Sequence, residues 1–414
     1  MNKYENYREI GLPWLKEIPA HWRISKVNNM FEERREKVSD KEYEALSVTK
    51  MGILKQLQNV AKTNSGENRK KVIKNDFVIN SRSDRKGSSG LSEFNGSVSL
   101  INIVLKIERE FPKYIHYLLK SVAFQEEFYR NGKGIVADLW STNYQNMKNI
   151  YLPIPSFSEQ QQIANYLDWK IVEIDKLIDI EKQKILELEK FKQKFIDEAF
   201  DTLSDYKHLK LSKLGNFKKG GGFSRVNISN TTNEAILYGD IYTKYNYWFK
   251  ECRTTIDNKG FNNAKHLNES AVLFTASGET KDDIGKSVAY IGKHKIAVGG
   301  DIIIYRVEKE FSVKYISYYC NTSKIKNKKY VESTGEIIVH ISPEVLKNIK
   351  IPSISMDEQN RLVTKIDNFI KLQNNIIVIK NNIIENYIQL KQSLISEVVT
   401  GQIDVRNVKI PERK

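Results

Sequence analysis

The stretch MKNIYLPIPSFSEQQ, residues 147–161, occurs a second time with changes as LKNIKIPSISMDEQN, residues 346–360. The two copies stay in register without a gap for about fifty positions, at an offset of 199 residues (147 against 346). Identical positions at this offset include Lys148, Asn149, Ile150, Pro153, Ser156, Glu159, Gln160, Lys192, Gln193, Ile196 and Glu198, which match Lys347, Asn348, Ile349, Pro352, Ser355, Glu358, Gln359, Lys391, Gln392, Ile395 and Glu397. A period of this length predicts a duplicated domain and not a solenoid of short repeats.

Each copy of the stretch predicts the start of a helix. An apolar, strand-like run ends at a proline, which interrupts a strand ladder or a helix. Ser-x-x-Glu follows, as Ser156 to Glu159 and as Ser355 to Glu358. At this spacing the serine oxygen accepts from the glutamate amide, and the glutamate carboxylate reaches back to the serine amide. Because the motif occurs twice at one offset, we expect a helix to begin at both places.

The residues after each motif predict a long helix with a coiled-coil seam. Neither residues 157–200 nor residues 356–399 contain Gly or Pro. Seam positions recur every three or four residues, which is typical of a heptad pattern. The predicted seam residues are Ile171, Ile174, Ile178, Glu181, Ile185 and Leu188 in the first helix and Ile370, Ile377, Lys380, Ile384, Tyr387 and Leu394 in the second. The alternative is a helix buried within a larger domain, which explains the length and the charged outer face less well.

Two of these seam residues carry opposite charges at equivalent positions. Glu181 and Lys380 are 199 residues apart, and Glu181 lies near the midpoint of its helix. In an antiparallel pair with two-fold symmetry, equivalent residues meet only at the axis. We therefore expect Glu181 and Lys380 to face each other at the centre of the helix pair.

The composition indicates a folded protein with room for two or three domains. The chain has 414 residues, of which 40% are hydrophobic. It shows no signal peptide and no apolar run long enough to cross a bilayer. Cys252 and Cys320 are too few for a disulfide framework or a cysteine-based zinc site. We expect a cytoplasmic protein.

The net charge of +15 is concentrated outside the predicted long helices. Residues 22–156 hold 23 Lys and Arg against 15 Asp and Glu, and residues 206–354 hold 24 against 14. The helical residues 158–200 hold 7 against 10, and residues 357–399 hold 5 against 5. Basic globular segments favour a polyanionic partner, most simply nucleic acid. A lysine-rich composition bias is the alternative, but such a bias would also have reached the helices.

The repeat divides the chain into alternating globular and helical parts. We expect a lead-in and first globular domain at residues 1–156, a first helix and link at 157–205, a second globular domain at 206–354, and a second helix and tail at 355–414. The two globular parts are themselves related, because residues 76–90 align with the run SAVLFTASGETKDDIG at an offset near 195. At an offset of 201 (113 against 314), Lys113, Tyr114, Ile115, Tyr117, Tyr129 and Gly134 match Lys314, Tyr315, Ile316, Tyr318, Tyr330 and Gly335. Related scaffolds with different surfaces suggest two domains that each recognise a different target.

These features resemble the specificity subunit of Type I restriction–modification systems along essentially the whole chain. The resemblance is carried by GLPWLKEIPAHW (residues 11–22), IYLPIPSFSEQQQIANYLD (150–168), IKIPSISMDEQNRLVTKID (349–367) and LISEVVTGQID (394–404). The second helix opening departs from the usual pattern at Ile354, where a proline is common. The resemblance implies two α/β (α+β) target-recognition domains, each reading half of a bipartite double-stranded DNA sequence. It further implies an antiparallel coiled coil with a pseudo-two-fold axis, which spaces the readers and docks two methyltransferase subunits and, through the complex, restriction subunits.

A search of the sequence for catalytic motifs yields none that is complete. Gly285-Lys286-Ser287 looks like the end of a phosphate-binding loop, but Thr280 stands where that motif needs glycine. The six histidines are isolated, without the pairing that a zinc site requires. No Asn-Pro-Pro-aromatic run and no G-x-G-x-x-G is present. We expect a non-catalytic chain without a cofactor or metal of its own, and S-adenosylmethionine, ATP and Mg²⁺ in its partner subunits.

Loops rich in basic, small polar and glycine residues are the candidates for DNA contact, because such groups reach phosphates and base edges. Those in the first globular part follow the runs EALSV and DFVIN: Thr49, Lys50, Gly52, Asn80, Ser81, Arg82, Ser83, Arg85 and Lys86. Those in the second flank a triple glycine, follow the run LYGDI or lie on the counterpart of the Arg82 loop: Lys218, Lys219, Ser224, Arg225, Thr243, Lys244, Tyr245, Ser277, Lys281 and Lys286. For any one of them, a plain solvated surface residue remains the alternative.

The sequence therefore predicts a DNA-recognition and assembly subunit. The rival hypothesis from another class is a coiled-coil scaffold whose basic globular parts bind protein or RNA.

Overall fold

The computed structural model describes residues 2–56, 66–134, 140–336 and 338–412. Its contacts divide the chain into a first unit, Met1–Lys182 with Asn382–Lys414, and a second unit, Gln183–Asn381. Each unit contains one set of sheets, one set of short helices and parts of two long helices.

The first unit is built on antiparallel strands. One sheet has the order Ser89–Leu91, Phe77–Asn80, Asn102–Lys106, Glu32–Glu33, and another has the order Gly96–Ser99, Arg69–Val72, Lys37–Val38. Further pairs are Tyr7–Leu12 with Leu15–Pro19, Leu46–Thr49 with Gly52–Lys55, and Arg23–Lys26 with Tyr151–Ile154. The short helices are Val27–Met30, Pro112–Lys120, Val122–Arg130 and Tyr144–Met147, with a 3₁₀ turn at Ser83–Arg85.

The second unit has a similar plan with more strands per sheet, and two of its strand pairings are parallel. A five-stranded sheet has the order Gly215–Lys219, Ile302–Val307, Ala271–Thr275, Ser287–Tyr290, Trp248–Phe249, and a four-stranded sheet has the order Thr254–Thr255, Glu234–Ile236, Ile296–Val298, Lys265–Leu267. Two-stranded pairs are His208–Lys210 with Lys350–Pro352 and Ser277–Gly278 with Val339–His340. The short helices are Tyr238–Thr243, Asn258–Asn263, Val313–Cys320, Ser323–Glu332 and Pro343–Lys347, with 3₁₀ turns at Leu211–Lys213 and Arg225–Asn227.

Both predicted long helices are present, at Phe157–Asp201 and Met356–Val399. They run antiparallel where they meet inside each unit. In the first unit, Lys391 donates to both carboxylate oxygens of Asp175 at 2.8 Å. In the second unit, the Phe195 and Phe369 rings stack at a centroid distance of 3.8 Å. The predicted α/β domains and antiparallel coiled coil are confirmed.

Burial along the long helices follows the predicted seam. The predicted seam residues are buried or half-buried: Ile171, Ile174, Ile178, Glu181, Ile185 and Leu188, and Ile370, Ile377, Lys380, Ile384, Tyr387 and Leu394. The prediction missed the buried seam residue Gln373, which is 3% exposed and takes the place that Ile174 holds in the first helix. The pairing of Glu181 with Lys380 stays a prediction.

The predicted helix starts are correct, but the capping box is complete in one copy only. At the second helix the Glu358 carboxylate accepts from the Ser355 amide at 2.9 Å, and the serine oxygen accepts from the Glu358 amide. At the first helix the Ser156 oxygen still accepts from the Glu159 amide. The Glu159 carboxylate instead accepts from the Tyr4 hydroxyl at 2.7 Å and from the Trp22 indole at 3.0 Å. Glu159 therefore binds the N-terminal residues Tyr4 and Trp22. The prediction that its carboxylate accepts from the Ser156 amide was wrong.

The repeated glutamines fix each globular part to its helix by the same contacts. The Gln160 side chain accepts from the Phe111 amide and donates to the Pro155 carbonyl. Gln359 accepts from the Ser312 amide and donates to the Ile354 carbonyl in the same way. Both side chains are fully buried. Because a buried amide without these partners would be costly, the contacts account for the identity of the two positions.

Two stretches of the first unit are each divided into two elements. The apolar run Ser97 to Ile107 breaks at Leu100 and forms two strands, and the helical stretch from Tyr114 to Phe128 is two helices. The second of these begins at Ser121, whose side chain accepts from the Phe124 amide. The C-terminal residues Ile403 and Val405 lie in the first unit's core.

Candidate nucleic-acid interface

The two predicted loops of the first unit lie side by side. The Lys120 ammonium donates to the Lys50 carbonyl in the hairpin turn and to the Ser89 carbonyl beyond the second loop, at 2.7 Å each. A side chain at Gly90 would approach the Gly52 Cα to 3.1 Å, so these backbones pack closely. Burial lowers the pKa of Lys120 to about 8. Lys120 was not predicted, and its role in joining the loops depends on contacts that are distant in the sequence.

The first-unit candidates differ in their access to solvent. Lys50, Arg82, Arg85 and Lys86 are exposed, Thr49, Gly52, Asn80 and Ser83 are half-buried, and Ser81 is buried. The Arg82 guanidinium contacts Asp84 at 2.9 Å, and the Lys86 ammonium contacts Glu126 at 2.5 Å. Exposed ion pairs of this kind are weak, so phosphate oxygens can compete for both cations. The Ser81 hydroxyl accepts from Ser141 inside the fold, which makes direct DNA contact the weaker interpretation for Ser81.

In both units, antiparallel bridges join the Arg82 loop or its counterpart to two other segments of the chain. We call this three-segment arrangement the ladder. In the first unit, Ser141 pairs with both Arg82 and Lys133 through antiparallel bridges. In the second unit, His340 pairs with Ser277 and with Thr334. The equivalent positions therefore carry different side chains on one backbone arrangement: Arg82 against Ser277, Ser141 against His340 and Lys133 against Thr334. The looser similarity between the globular parts predicted related loops but did not reveal this ladder.

A lysine lies over a tyrosine ring beside the ladder in both units. The Lys86 ammonium is 6.0 Å from the centroid of Tyr129, and the Lys281 ammonium is 5.9 Å from the centroid of Tyr330. Burial raises the pKa of Tyr129 to about 12. Tyr129 and Tyr330 matched each other in the sequence, although neither was predicted to lie at the interface. Such pairs hold a basic side chain in place with modest energy.

The triple glycine of the second unit, Gly220 to Gly222, is a place of close backbone approach. A Cβ atom at Gly220 would lie 2.1 Å from the Gly299 carbonyl oxygen. Gly222 has a φ of +94°, and a Cβ there would lie 1.9 Å from the Asn263 carbonyl oxygen. Only glycine tolerates both the positive φ at Gly222 and the close carbonyl contacts at Gly220 and Gly222. The glycines therefore position the exposed residues that flank them, which are Lys218, Lys219, Ser224 and Arg225.

Two tyrosines connect the second unit's candidates. The Arg225 guanidinium lies 5.9 Å from the Tyr238 ring, which meets the Tyr242 ring edge-on. The Tyr242 hydroxyl donates to the Ser277 carbonyl at 3.1 Å. Burial raises the pKa of Tyr242 to about 12. These contacts place the Arg225 turn, the helix Tyr238–Thr243 and the Ser277 loop on one continuous surface.

The remaining second-unit candidates include three with supporting roles. Thr243 is exposed, Lys244, Lys281 and Lys286 are half-buried, and Tyr245 and Ser277 are buried. Tyr245 stacks on Phe249, and its hydroxyl accepts from the Arg253 amide. Lys286 donates to the Tyr245 carbonyl at 2.9 Å. Burial makes direct contact with DNA the weaker interpretation for Tyr245 and Ser277, and Lys286 holds the loop behind the exposed residues.

Matched contacts anchor the helices beneath these loops. In the first unit, Lys113 and the Tyr117 hydroxyl both donate to Asp168 of the long helix. In the second unit, Lys314 and the Tyr318 hydroxyl donate to Asp367. Each recognition surface is thus attached to a rigid helix by a charge-assisted pair of hydrogen bonds.

Exposed basic and polar loops on a rigid scaffold fit contact with phosphates and base edges. Within the described residues, no group of His, Cys, Asp and Glu is arranged to hold a metal ion. Among the helices in the described part of the chain, none is long and apolar enough to span a membrane.

Comparison with known proteins identifies relatives along both halves of the chain. The model of the Type I restriction modification DNA specificity domain matches twice, at residues 19–190 and 191–386. The Type I restriction enzyme MjaVIII specificity subunit of Methanocaldococcus jannaschii is 25% identical over 320 aligned residues, covering 70% of this chain and 71% of that protein. The MjaX specificity subunit of the same organism is 23% identical over 447 aligned residues, with 98% of both chains covered.

Two solved structures share the fold. A chain from a structure of the type I R-M system, described for its complex assembly and conformational transition, gives a TM-score of 0.65 at 12% identity, covering 93% of this chain and 99% of that chain. The HsdS subunit from Thermoanaerobacter tengcongensis gives a TM-score of 0.52 at 14% identity, covering 93% and 98%. Together with the duplicated, helix-anchored fold, the two domain matches show that the chain belongs to the family of Type I restriction–modification specificity subunits.

Proposed function

We propose that the chain reads a split double-stranded DNA sequence, with one half-site for each unit. The single observation that carries this proposal is the repeated ladder with different solvent-accessible side chains at equivalent positions, Ser141 and Lys133 in the first unit against His340 and Thr334 in the second. One scaffold used twice with different polar groups suits two different base sequences. The net positive charge of both globular parts supplies the sequence-independent attraction to phosphates.

The chain's part in the reaction is recognition and assembly. The antiparallel long helices set the distance between half-sites and, with the globular parts, dock two methyltransferase subunits. Restriction subunits join through that complex, and the cytoplasm is the compartment where such an assembly meets its DNA. The partner subunits supply the methyl donor S-adenosylmethionine, ATP and Mg²⁺, and this chain contributes no catalytic residue. Methyl transfer to DNA by the purified chain alone would contradict this division of roles.

The first experiment identifies the target and then measures binding to it. Sequencing methylated sites in a host that carries this chain and its methyltransferase gives the sequence. Binding of the chain, with its methyltransferase, to that duplex and to a scrambled duplex is then compared over a range of salt concentrations. We expect tighter binding to the target, with an affinity that falls as salt rises. Equal affinity for the scrambled duplex, or a preference for RNA, would favour the rival protein- or RNA-binding scaffold.

A matched pair of variants localises the contact in the first unit. Arg82→Ala removes an exposed arginine from the ladder, and Arg109→Ala removes an exposed arginine before the helix Pro112–Lys120. If Arg82 contacts the target, its replacement weakens specific binding by about 1–3 kcal/mol, whereas Arg109→Ala has a smaller effect. Equal effects of the two variants would place the contact elsewhere.

A further inference from the structure

A polar cavity of about 260 Å³ lies inside the second unit, behind the Ser277 loop. Its walls come from the first long helix, residues 242–247, the loop at 283–286 and the helix Ser323–Glu332. Four lysines are among the lining residues: Lys192, Lys286, Lys326 and Lys329. Two acidic residues, Glu189 and Asp283, also line it. We call this cavity the lysine pocket.

The ammonium groups of three of these lysines are held by neutral oxygens. Lys329 donates to the Gly285 carbonyl at 2.6 Å and to the Cys320 carbonyl at 2.9 Å. Lys286 donates to the Tyr245 carbonyl at 2.9 Å, and Lys326 donates to the Gln193 amide oxygen at 3.0 Å. An ammonium carries three donor hydrogens, and these bonds use one or two of them. Lys192 contacts the Glu189 carboxylate.

The lysines in the pocket are close enough to disfavour one another's charge. Burial lowers the pKa of Lys329 to about 8; Cys320 and Asp283 oppose the effect, and the neighbouring Lys326 adds to it. Burial also lowers the pKa of Lys286; Asp283 opposes the effect, and Lys326 and Lys192 add to it. A desolvated cluster of like charges is unfavourable unless counter-charge is supplied. Glu189 and Asp283 supply only part of it.

The first unit shows that the fold does not need these lysines. Strand pairing aligns Ser287 with Ser89, so Lys286 corresponds to Ser88. The offset of 201 that joins Tyr129 to Tyr330 makes Gln125 the counterpart of Lys326 and Phe128 the counterpart of Lys329. Phe128 and Lys329 are both fully buried. The second unit therefore places three cations where its duplicate holds a hydroxyl, an amide and a phenyl ring.

We propose that the lysine pocket binds a phosphate oxyanion. A phosphate group brings up to two negative charges and at least two free acceptor oxygens into a small volume, which matches several converging ammonium donors better than a single carboxylate does. Three of the lysines donate to carbonyl or amide oxygens of the fold. Those contacts account for the position of each lysine, but not for the presence of several lysines around one cavity. The bound oxyanion offsets the lysine repulsion and orders the loop at 283–286. The oxyanion comes either from free phosphate or from the DNA backbone.

The first test measures phosphate binding without DNA. Inorganic phosphate is titrated into the full chain by calorimetry, with chloride added to keep the ionic strength equal. We expect saturable binding at one site per chain if free phosphate is the source. Lys326→Gln, which copies Gln125 of the first unit, should weaken that binding at least about tenfold, because it removes one of the converging charges. Lys324→Gln is the matched control, since Lys324 is exposed on the same helix and outside the pocket.

The second test addresses a DNA phosphate. The affinity of the chain and its methyltransferase for the target duplex is measured against salt. If the pocket takes a backbone phosphate, Lys326→Gln lowers the magnitude of the logarithmic salt slope by about one, and Lys324→Gln leaves the slope closer to that of the unaltered chain. The proposal is overturned if phosphate does not bind saturably and Lys326→Gln leaves the salt slope unchanged, or if both variants have equal effects in both tests.

These experiments distinguish failure of the phosphate-binding proposal from failure of the proposed DNA-reading function. Saturable phosphate binding by a chain that binds no specific duplex would retain the lysine pocket and reject the proposed function. Specific DNA binding with no effect of Lys326→Gln in either test would retain the proposed function and reject phosphate binding in the lysine pocket.

Discussion

At the scale of single residues, Lys329 is the least expected side chain. It lies fully buried where the duplicate domain has Phe128, and it ties the Gly285 carbonyl to the end of the helix Val313–Cys320 through Cys320. A cation near the C-terminal end of a helix is favoured by the helix dipole. This contact offsets part of the cost of burial, but the lowered pKa shows that burial remains dominant.

Lys329 predicts a specific pH dependence of the second unit's stability. Its pKa is about 8 in the folded chain against the ordinary value of 10.5, so between these values the unfolded chain binds more protons and stability rises with pH. Relative to Lys329→Met, we expect the unaltered second unit to gain about 1 kcal/mol between pH 8 and pH 9. Hydrogen exchange of the strand Ile302–Val307, compared between the two chains at each pH, measures this difference. Parallel pH profiles for the two chains would show that Lys329 does not titrate in this range.

At the scale of elements, the coiled coil was predictable from residue spacing alone, whereas the buried glutamine in its seam was not. Heptad spacing of Ile174 and Ile178 predicts a seam because apolar side chains recur on one helix face. Gln373 breaks that pattern in the second helix, and its side chain donates to the Leu188 carbonyl. Within the described residues, its buried amide oxygen has no hydrogen-bond partner. Such a half-satisfied amide lowers stability and can fix the alignment of two helices.

Gln373→Leu is therefore expected to stabilise the second unit. Leucine removes the unpaired oxygen and adds apolar contact at a position where the first helix already has Ile174. We expect a gain of about 1 kcal/mol in the free energy of opening, measured by hydrogen exchange across the second unit. Asn374→Leu, at the exposed neighbouring position, should change it by less than about 0.5 kcal/mol. A loss of stability in Gln373→Leu would mean that the bond to Leu188 outweighs the unpaired oxygen.

The candidate loops were predictable from composition, but their arrangement was not. Exposed Lys50, Arg82 and Arg225 stand in loops whose residue types predicted contact with solvent and polyanions. Burial of Ser81 and Tyr245 could not be predicted from the same composition, because it depends on folded contacts: Ser81 bonds to Ser141, and Tyr245 stacks on Phe249 within the core. The capping box at Glu159 failed for a related reason, since Tyr4 and Trp22 compete for that carboxylate.

At the scale of the whole molecule, duplication provided the strongest sequence signal. The offset of 199 residues predicted two equivalent units with long helices, and the matched contacts of Asp168 and Asp367 explain why both halves retain the same anchoring residues. The half-site sequences do not follow from this symmetry, because loop geometry and the lysine pocket differ between the units.

The proposed ruler role of the helices predicts a change in spacer length. Inserting one heptad at matching positions of both long helices keeps the apolar seam in phase. At about 1.5 Å per residue, the pair lengthens by about 10 Å. Because DNA rises about 3.4 Å per base pair, we expect the unspecified spacer to grow by about three base pairs. Sequencing of methylated sites measures the change, and retained methylation with an unaltered spacer would contradict the ruler.

The most direct test of the central claim exchanges one recognition domain. Residues 206–354 are replaced by the matching segment of a related specificity subunit, and methylated sites are sequenced in a host that also carries the methyltransferase. If each unit reads one half-site, one half of the methylated sequence changes while the other half stays the same. A methylated sequence in which both halves change, or neither does, would contradict the account.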